Sequence, residues 1–163
     1  MKRDSLITIR RLQSGEADLL KQIRLMALQD APYAFSSTYE SGLQRSADSW
    51  REQAESTAVG ADRTTFIAFS GDVPVGMSAL YRNNDKVDSG EILQVWVRPE
   101  YRGSAVAQDL MDILFKWAGE NNFRKLIAGV TKVNARALTF YLKYGFSILE
   151  ETAEGVYLVK EVK

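Results

Sequence analysis

The chain has 163 residues, 45% hydrophobic and 26% charged, and its 21 basic side chains balance its 21 acidic ones. These values are typical of one globular domain, which we expect over residues 1–163, and the zero net charge argues against a dedicated nucleic-acid-binding protein. Because cysteine and histidine are both absent, thiolate nucleophiles, disulfides, imidazole bases and the common zinc sites are excluded, and no metal site is expected.

The first half of the chain predicts a strand, two helices and an antiparallel meander. Leu6–Leu12 alternates like a strand, and Ser14 can cap the helix that follows. The apolar face of that helix is formed by Leu20, Ile23, Ala27 and Leu28. The segment QDAPYAFSSTYESGLQRS is predicted to be a loop, and a second helix near Ala47–Ser56 has Ser46 as its cap. Three strands separated by turns follow, at Thr64–Ser70, Val73–Arg82 and Glu91–Val97.

The second half predicts a strand–helix–strand crossover and a final hairpin. A helix from about Ser104 to Asn121 leads from the third meander strand to a short strand at Lys125–Val130. The next helix, Asn134–Tyr144, has Asn134 as its N-cap and Gly145 as a left-handed stop. The pattern therefore indicates an α/β fold with a single mixed sheet, an antiparallel N-terminal meander and a central parallel crossover.

The stretch VRPEYRGSAVAQDLM combines a strand end, a tight turn and a helix start. A helix N-terminus exposes unpaired N–H groups and a partial positive charge, and both favour anions. The small side chains here allow a phosphate to approach the backbone, and Arg102 adds a positive charge at the rim. The residues of this corner are Arg102, Gly103, Ser104, Ala105, Val106 and Ala107. The stretch matches neither the dinucleotide fingerprint nor the P-loop, so a plain strand-to-helix turn is the alternative.

The segment VWVRPEYRGSAVAQDLM resembles the acyl-CoA-binding segment of the GNAT superfamily of N-acetyltransferases. In that family the pattern Arg/Gln-x-x-Gly-x-Gly/Ala supplies backbone amides to the pyrophosphate of coenzyme A. Ala107 fits the pattern, whereas Ala105 stands where glycine is usual; its amide remains a donor if the backbone there is helical. A second segment, NARALTFYLKYGF, resembles the later motif of the family through Asn134, Ala137, Tyr141, Gly145 and Phe146.

The resemblance implies the GNAT acyl-CoA N-acyltransferase fold, acetyl-CoA as acyl donor and direct transfer to an amine. It implies that backbone amides near Val95, Trp96 and Val97 contact the thioester and pantetheine, beside a strand bulge. It also implies that Tyr141 protonates the leaving thiolate and that Asn134 contacts the pantetheine or a water. Asn134 and Tyr141 are two helical turns apart, so they share a helix face. The alternative for Tyr141 is a packing role.

Glu91 is the candidate general base. Strand alternation places Glu91, Leu93, Val95 and Val97 on one face, and partial burial would make the carboxylate a better proton acceptor. The alternative is an exposed carboxylate in an enzyme that selects neutral amine from solution.

The acceptor is expected to be an amine of a small molecule or peptide, bound by the N-terminal helices and their loop. The candidate wall residues are Tyr33, Phe35, Ser37, Tyr39 and Trp50, which are core contacts in the alternative interpretation. Asp30 or Glu40 could attract a cationic amine.

The location and the alternative functions follow from the same residues. The charged N-terminus is not a signal peptide and no segment reaches membrane-spanning length, so we expect a cytoplasmic protein that contacts neither membrane nor nucleic acid. A homodimer through the terminal hairpin, Phe146–Val162, is left open. A coenzyme-A-binding sensor or pseudoenzyme of the same fold is the alternative function.

Overall fold

The computed structural model describes residues 6–35 and 37–163, apart from the side chain of Tyr33. The strands of this part are β1 (Ile7–Arg11), β2 (Arg63–Ser70), β3 (Val73–Arg82), β4 (Ser89–Val97), β5 (Lys125–Thr131), β6 (Ser147–Glu151) and β7 (Gly155–Glu161). Its α-helices are α1 (Ala17–Asp30), α2 (Tyr39–Leu43), α3 (Ala47–Ala58), α4 (Val106–Glu120) and α5 (Ala135–Tyr144). Short 3₁₀ turns lie at Pro32–Ala34 and Pro99–Tyr101.

The seven strands form one sheet in the order β1-β2-β3-β4-β5-β7-β6. Neighbouring strands are antiparallel except β4 and β5, which are parallel and joined by α4. The predicted mixed sheet, with its meander and its parallel crossover, is therefore confirmed. The parallel pairing is short, since it runs only from Ser89 opposite Lys125 to Ile92 opposite Ala128.

Local capping explains where the helices begin and end. Ser46 accepts a hydrogen bond from the backbone N–H of Ser49 at 3.1 Å, and Gly145 ends α5 at φ 118°, so both predictions are confirmed. The prediction for Ser14 is wrong, because its hydroxyl donates to Glu55 and Glu16 occupies the N-cap position of α1. The predicted loop after α1 contains the short helix α2, whose five residues leave too little periodicity to detect.

The helices cover both faces of the sheet. On one face, α1 and α3 pack through Ile23, Ala27 and Trp50 against Met77 of β3 and Trp96 of β4. On the other face, α4 and α5 share a core with the sheet. The predicted apolar face of α1 is confirmed, since Leu20, Ile23, Ala27 and Leu28 are all buried. Within the described residues, no helix is long and apolar enough to cross a membrane.

Candidate active site

A cleft opens where β4 and β5 separate after their short parallel pairing. The residues of β5 beyond Ala128 pair with β7, so among the described residues the facing edge of β4 has no partner strand from Leu93 onward. The cleft is part of a cavity of about 1000 Å³, which also reaches the end of α1, the start of α4 and the start of α5. Cavities of this size hold drug-sized and larger ligands.

A bulge in β4 shapes the wall of the cleft. Gln94 has φ 57°, and the register with β3 shifts from Leu93 opposite Ala79 to Trp96 opposite Met77. The extra residue reverses the side-chain alternation. The prediction that Glu91, Leu93, Val95 and Val97 share one face is therefore wrong beyond the bulge. Trp96 lies on the α1 face of the sheet together with Glu91, whereas Val97 belongs to the core on the α4 face.

The strand after the bulge presents a backbone donor to the cleft. Arg98 donates its N–H to the carbonyl oxygen of Val75 at 2.8 Å, so alternation turns the amide of Val97 to the opposite edge, which faces the cleft. By the same alternation the amide of Trp96 belongs to the ladder with β3. Val95, Trp96 and Val97 all line the cavity.

The predicted anion corner has the backbone that such a site requires. Gly103 adopts φ 80°, where glycine avoids the strain of a side chain, and Ala105 is helical at φ −80° and ψ 0°. The methyl group of Ala105 therefore causes no strain. Within the described part of the chain, the N–H groups of Ala105, Ala107 and Gln108 have no backbone partner, whereas that of Val106 reaches the hydroxyl of Ser104 at 3.4 Å.

Polar contacts hold the side chain of Arg102 against β4 and the end of α1. Its Nε donates to the carbonyl oxygen of Val97 at 3.1 Å, and its Nη2 forms an ion pair with Asp30. Asp30 also accepts a 2.9 Å hydrogen bond from the indole Nε1 of Trp96. The charge expected at the rim of the corner is thus partly balanced, and Asp30 does not offer a free carboxylate to a cationic amine.

Tyr141 and Asn134 both line the cavity from α5. Tyr141 is 6% exposed, and its ring meets the edges of Phe140 and Phe146. Burial raises the pKa of the Tyr141 hydroxyl above its ordinary value of 10, so the phenol is protonated at neutral pH. The side-chain oxygen of Asn134 caps α5 by accepting from Ala137 at 3.2 Å. Its amide nitrogen is then the group left for a ligand.

Tyr144 has a structural role. Its hydroxyl donates to the carboxylate of Asp112 on α4, and its ring packs near Phe115 and Phe146. Tyr144 is not among the described residues that line the cavity.

The acceptor side of the cavity lies on the α1 face of the sheet. Glu91 lines the cavity there and is exposed rather than half-buried. Phe35 and Ser37 also line it. Trp50 is instead a core residue, 2% exposed, and Tyr39 begins α2 outside the cavity lining. The predicted contribution of the Tyr33 side chain lies outside the described residues.

Two residues that line the cavity were not identified from the sequence. Gln94 occupies a left-handed conformation that nothing in its residue type predicts, and its buried Oε1 has no hydrogen-bond partner among the described residues. Arg24 follows Leu20 by four positions, so it lies within the apolar face of α1 and is only 6% exposed. A charge inside an otherwise apolar helix face was the signal that could have identified it.

The family model for acetyltransferases of the GNAT family matches residues 25–146. This match covers most of the chain, so the chain belongs to the acetyltransferase (GNAT) family. No curated protein matches the chain.

Solved structures show the same fold at low sequence identity. A GNAT acetyltransferase from Streptococcus pneumoniae is 19% identical with a TM-score of 0.81, and the match covers 97% of this chain and 100% of that one. The PaiA N-acetyltransferase from Thermoplasma acidophilum, solved with coenzyme A, has the same identity and TM-score and coverages of 96% and 99%. Spermidine N-acetyltransferase from Vibrio cholerae, solved with CoA and spermine, is 16% identical with a TM-score of 0.76 and coverages of 96% and 95%.

Proposed function

We propose that residues 1–163 form a single N-acetyltransferase domain, which transfers the acetyl group of acetyl-CoA directly to a primary amine of a small molecule or peptide. Family membership and two similar structures with coenzyme A support the donor. The observation that carries the proposal is that the β4–β5 cleft, the start of α4 at Ala107 and Gln108, and the buried Tyr141 all belong to one cavity.

The residues present fit acetyl-CoA. The amides of Ala105, Ala107 and Gln108 point from a helix start, where a pyrophosphate is stabilised. The cleft edge of β4, which pairs with no described strand beyond Ile92, is available to the amide groups of a pantetheine arm. The bound donor supplies an activated acetyl thioester.

The chain's own groups then stabilise charge and move protons. The N–H of Val97 is the candidate donor to the developing oxyanion, because it faces the cleft at an edge of β4 that pairs with no described strand. Tyr141 remains protonated near neutral pH and can deliver a proton to the leaving thiolate. Glu91, on the acceptor side, is the candidate that receives the proton of the amine, directly or through water.

Turnover distinguishes this proposal from a coenzyme-A sensor with the same fold. The protein is incubated with acetyl-CoA and a panel of amines, and released CoA is followed with a thiol reagent, for which the absence of cysteine keeps the background low. We expect amine-dependent CoA release. Binding of acetyl-CoA without turnover on any amine would favour the sensor, and the absence of binding would refute both.

A further inference from the structure

Arg24 is a buried cation without a carboxylate partner. The residue is 6% exposed, and its Nη1 has no hydrogen-bond partner within the described part of the chain. No salt bridge among the described residues includes it. A buried charge of this kind is destabilising unless an opposite charge or strong acceptors compensate it. The compensating group is therefore expected to come from a ligand.

The surroundings of Arg24 add positive rather than negative charge. Its guanidinium carbon lies 4.6 Å from the ring centroid of Phe35, which also lines the cavity. Burial, together with repulsion from Arg45, lowers the pKa of Arg24 to about 10, against a smaller opposite effect of Tyr81. Arg45 is itself occupied, because it stacks on Trp50 and donates to Ser49. Arg24 remains fully charged at neutral pH.

Arg24 and Glu91 lie on the same side of the sheet. Glu91 pairs directly with Tyr81 across the β3–β4 ladder, so these two side chains share a face. Tyr81 is close enough to affect the pKa of Arg24. Both Arg24 and Glu91 line the cavity. A carboxylate suited to an amine and a cation suited to an anion are thus both available on the acceptor side.

We propose that Arg24 is a specificity-determining residue that binds an anionic group of the acceptor, so that the substrate is an amine that also carries a carboxylate or phosphate, an amino acid being the simplest example. This inference rests on the proposed acetyltransferase function. Arg24 opposes acceptors that are purely cationic, such as polyamines. The planar guanidinium can hold either oxyanion through two parallel hydrogen bonds.

Matched amines test the inference. Rates of CoA release are compared for β-alanine against propylamine and for O-phosphoethanolamine against ethanolamine, which separates carboxylate from phosphate recognition. A charge-assisted hydrogen bond contributes about 1.5–3 kcal/mol, so wild-type kcat/KM is expected to be about 10- to 100-fold higher for at least one anionic member of a pair. Equal or better use of both propylamine and ethanolamine, which lack the anionic group, would overturn the inference.

The variant Arg24→Met should remove this preference, mainly by raising KM for the anionic amine. The affinity for acetyl-CoA, measured by calorimetry, should stay unchanged; a matched loss of acetyl-CoA affinity would instead assign Arg24 to the donor. Arg51→Met, on the exposed outer side of α3 and outside the cavity, is the control. Arg24→Lys keeps the charge without the planar fork and should restore part of the preference. The Arg24→Lys variant also tests the inference if Arg24→Met does not fold.

Direct binding separates failure of this inference from failure of the proposed function. β-Alanine and O-phosphoethanolamine are titrated into wild type and Arg24→Met, each saturated with coenzyme A. Arg24-dependent binding supports the anion site even if no amine is acetylated, in which case only the transferase proposal fails. If neither compound binds wild type, or if both bind the variant equally well, the anion site is refuted.

Discussion

Gly103 and Ala105 contribute different backbone conformations to the anion corner. Gly103 has φ 80°, and a methyl group there would meet no described atom within 4 Å, so any cost of Gly103→Ala is backbone strain. That strain is about 1–2 kcal/mol, and we expect the affinity for acetyl-CoA to fall by up to about tenfold as the corner relaxes. Calorimetric titration together with urea unfolding measures both effects.

Ala105→Gly is the matched opposite change. Ala105 is the N-cap of α4 and already has helical dihedral angles, so glycine relieves no strain there, and glycine is favoured over alanine at an N-cap. The affinity for acetyl-CoA should be equal or tighter. A large loss of affinity would show that the amide of residue 105 does not bind the donor in the observed backbone conformation.

Tyr141→Phe tests the general acid while it preserves the ring contacts with Phe140 and Phe146. We expect kcat to fall by about 10²- to 10⁴-fold, the usual contribution of a positioned acid, with little change in acetyl-CoA affinity. Tyr144→Phe is the control, because it removes only the hydrogen bond to Asp112 outside the cavity. Unchanged turnover of Tyr141→Phe would remove Tyr141 from the chemistry.

The amino-acid type alone was enough to identify some residues of the candidate site but not others. Gly103 and Asn134 could be identified because a left-handed turn and a helix cap select particular side chains. Gln94 could not, since its left-handed backbone arises from the β3–β4 register and not from any preference of glutamine. The pairing of Arg102 with Asp30 spans 72 positions and depends wholly on the tertiary fold.

At the scale of elements, Asp30 joins the end of α1 to the anion corner and to β4. Its carboxylate binds both Arg102 and the indole of Trp96, so one side chain of α1 contacts both of these elements. We expect Asp30→Asn and Arg102→Gln each to destabilise the fold by roughly 1 kcal/mol, with losses that do not add in the double variant. Urea unfolding of the four proteins measures the coupling. Strictly additive losses would show that this ion pair is energetically silent.

The elements themselves were largely readable from the sequence. The turn at Gly71, the caps of α3 and α5 and the apolar face of α1 all follow local rules, and the strand order agrees with the expected meander and crossover. The separation of β4 from β5 could not be derived from periodicity, because both strands continue after their pairing ends at Ile92 and Ala128. The cleft thus begins where the two strands stop pairing, and the side-chain pattern of the sequence does not indicate that point.

At the scale of the whole molecule, the two parts of the sheet are joined by the pairing of β4 with β5, which extends over four residues of each strand in the described part of the chain. A donor bound in the cleft would contact both strands and thereby stabilise the native state. At a concentration 100 times its Kd, it should add about 2.7 kcal/mol, which corresponds to a rise in Tm of roughly 5–10 °C for a chain of this size. A thermal melt with and without acetyl-CoA measures the rise, and Gly103→Ala should show less of it at the same ligand concentration.

Hydrogen–deuterium exchange with and without acetyl-CoA is the sharpest test of the donor site, because it reports on the backbone amides assigned to that site. We expect slower exchange in peptides that contain Val97 and residues 105–108, with no change in the edge strand β6. Binding that leaves these amides unprotected, or that protects a different part of the sheet, would contradict the assignment of the β4–β5 cleft and the start of α4 as the acetyl-CoA site.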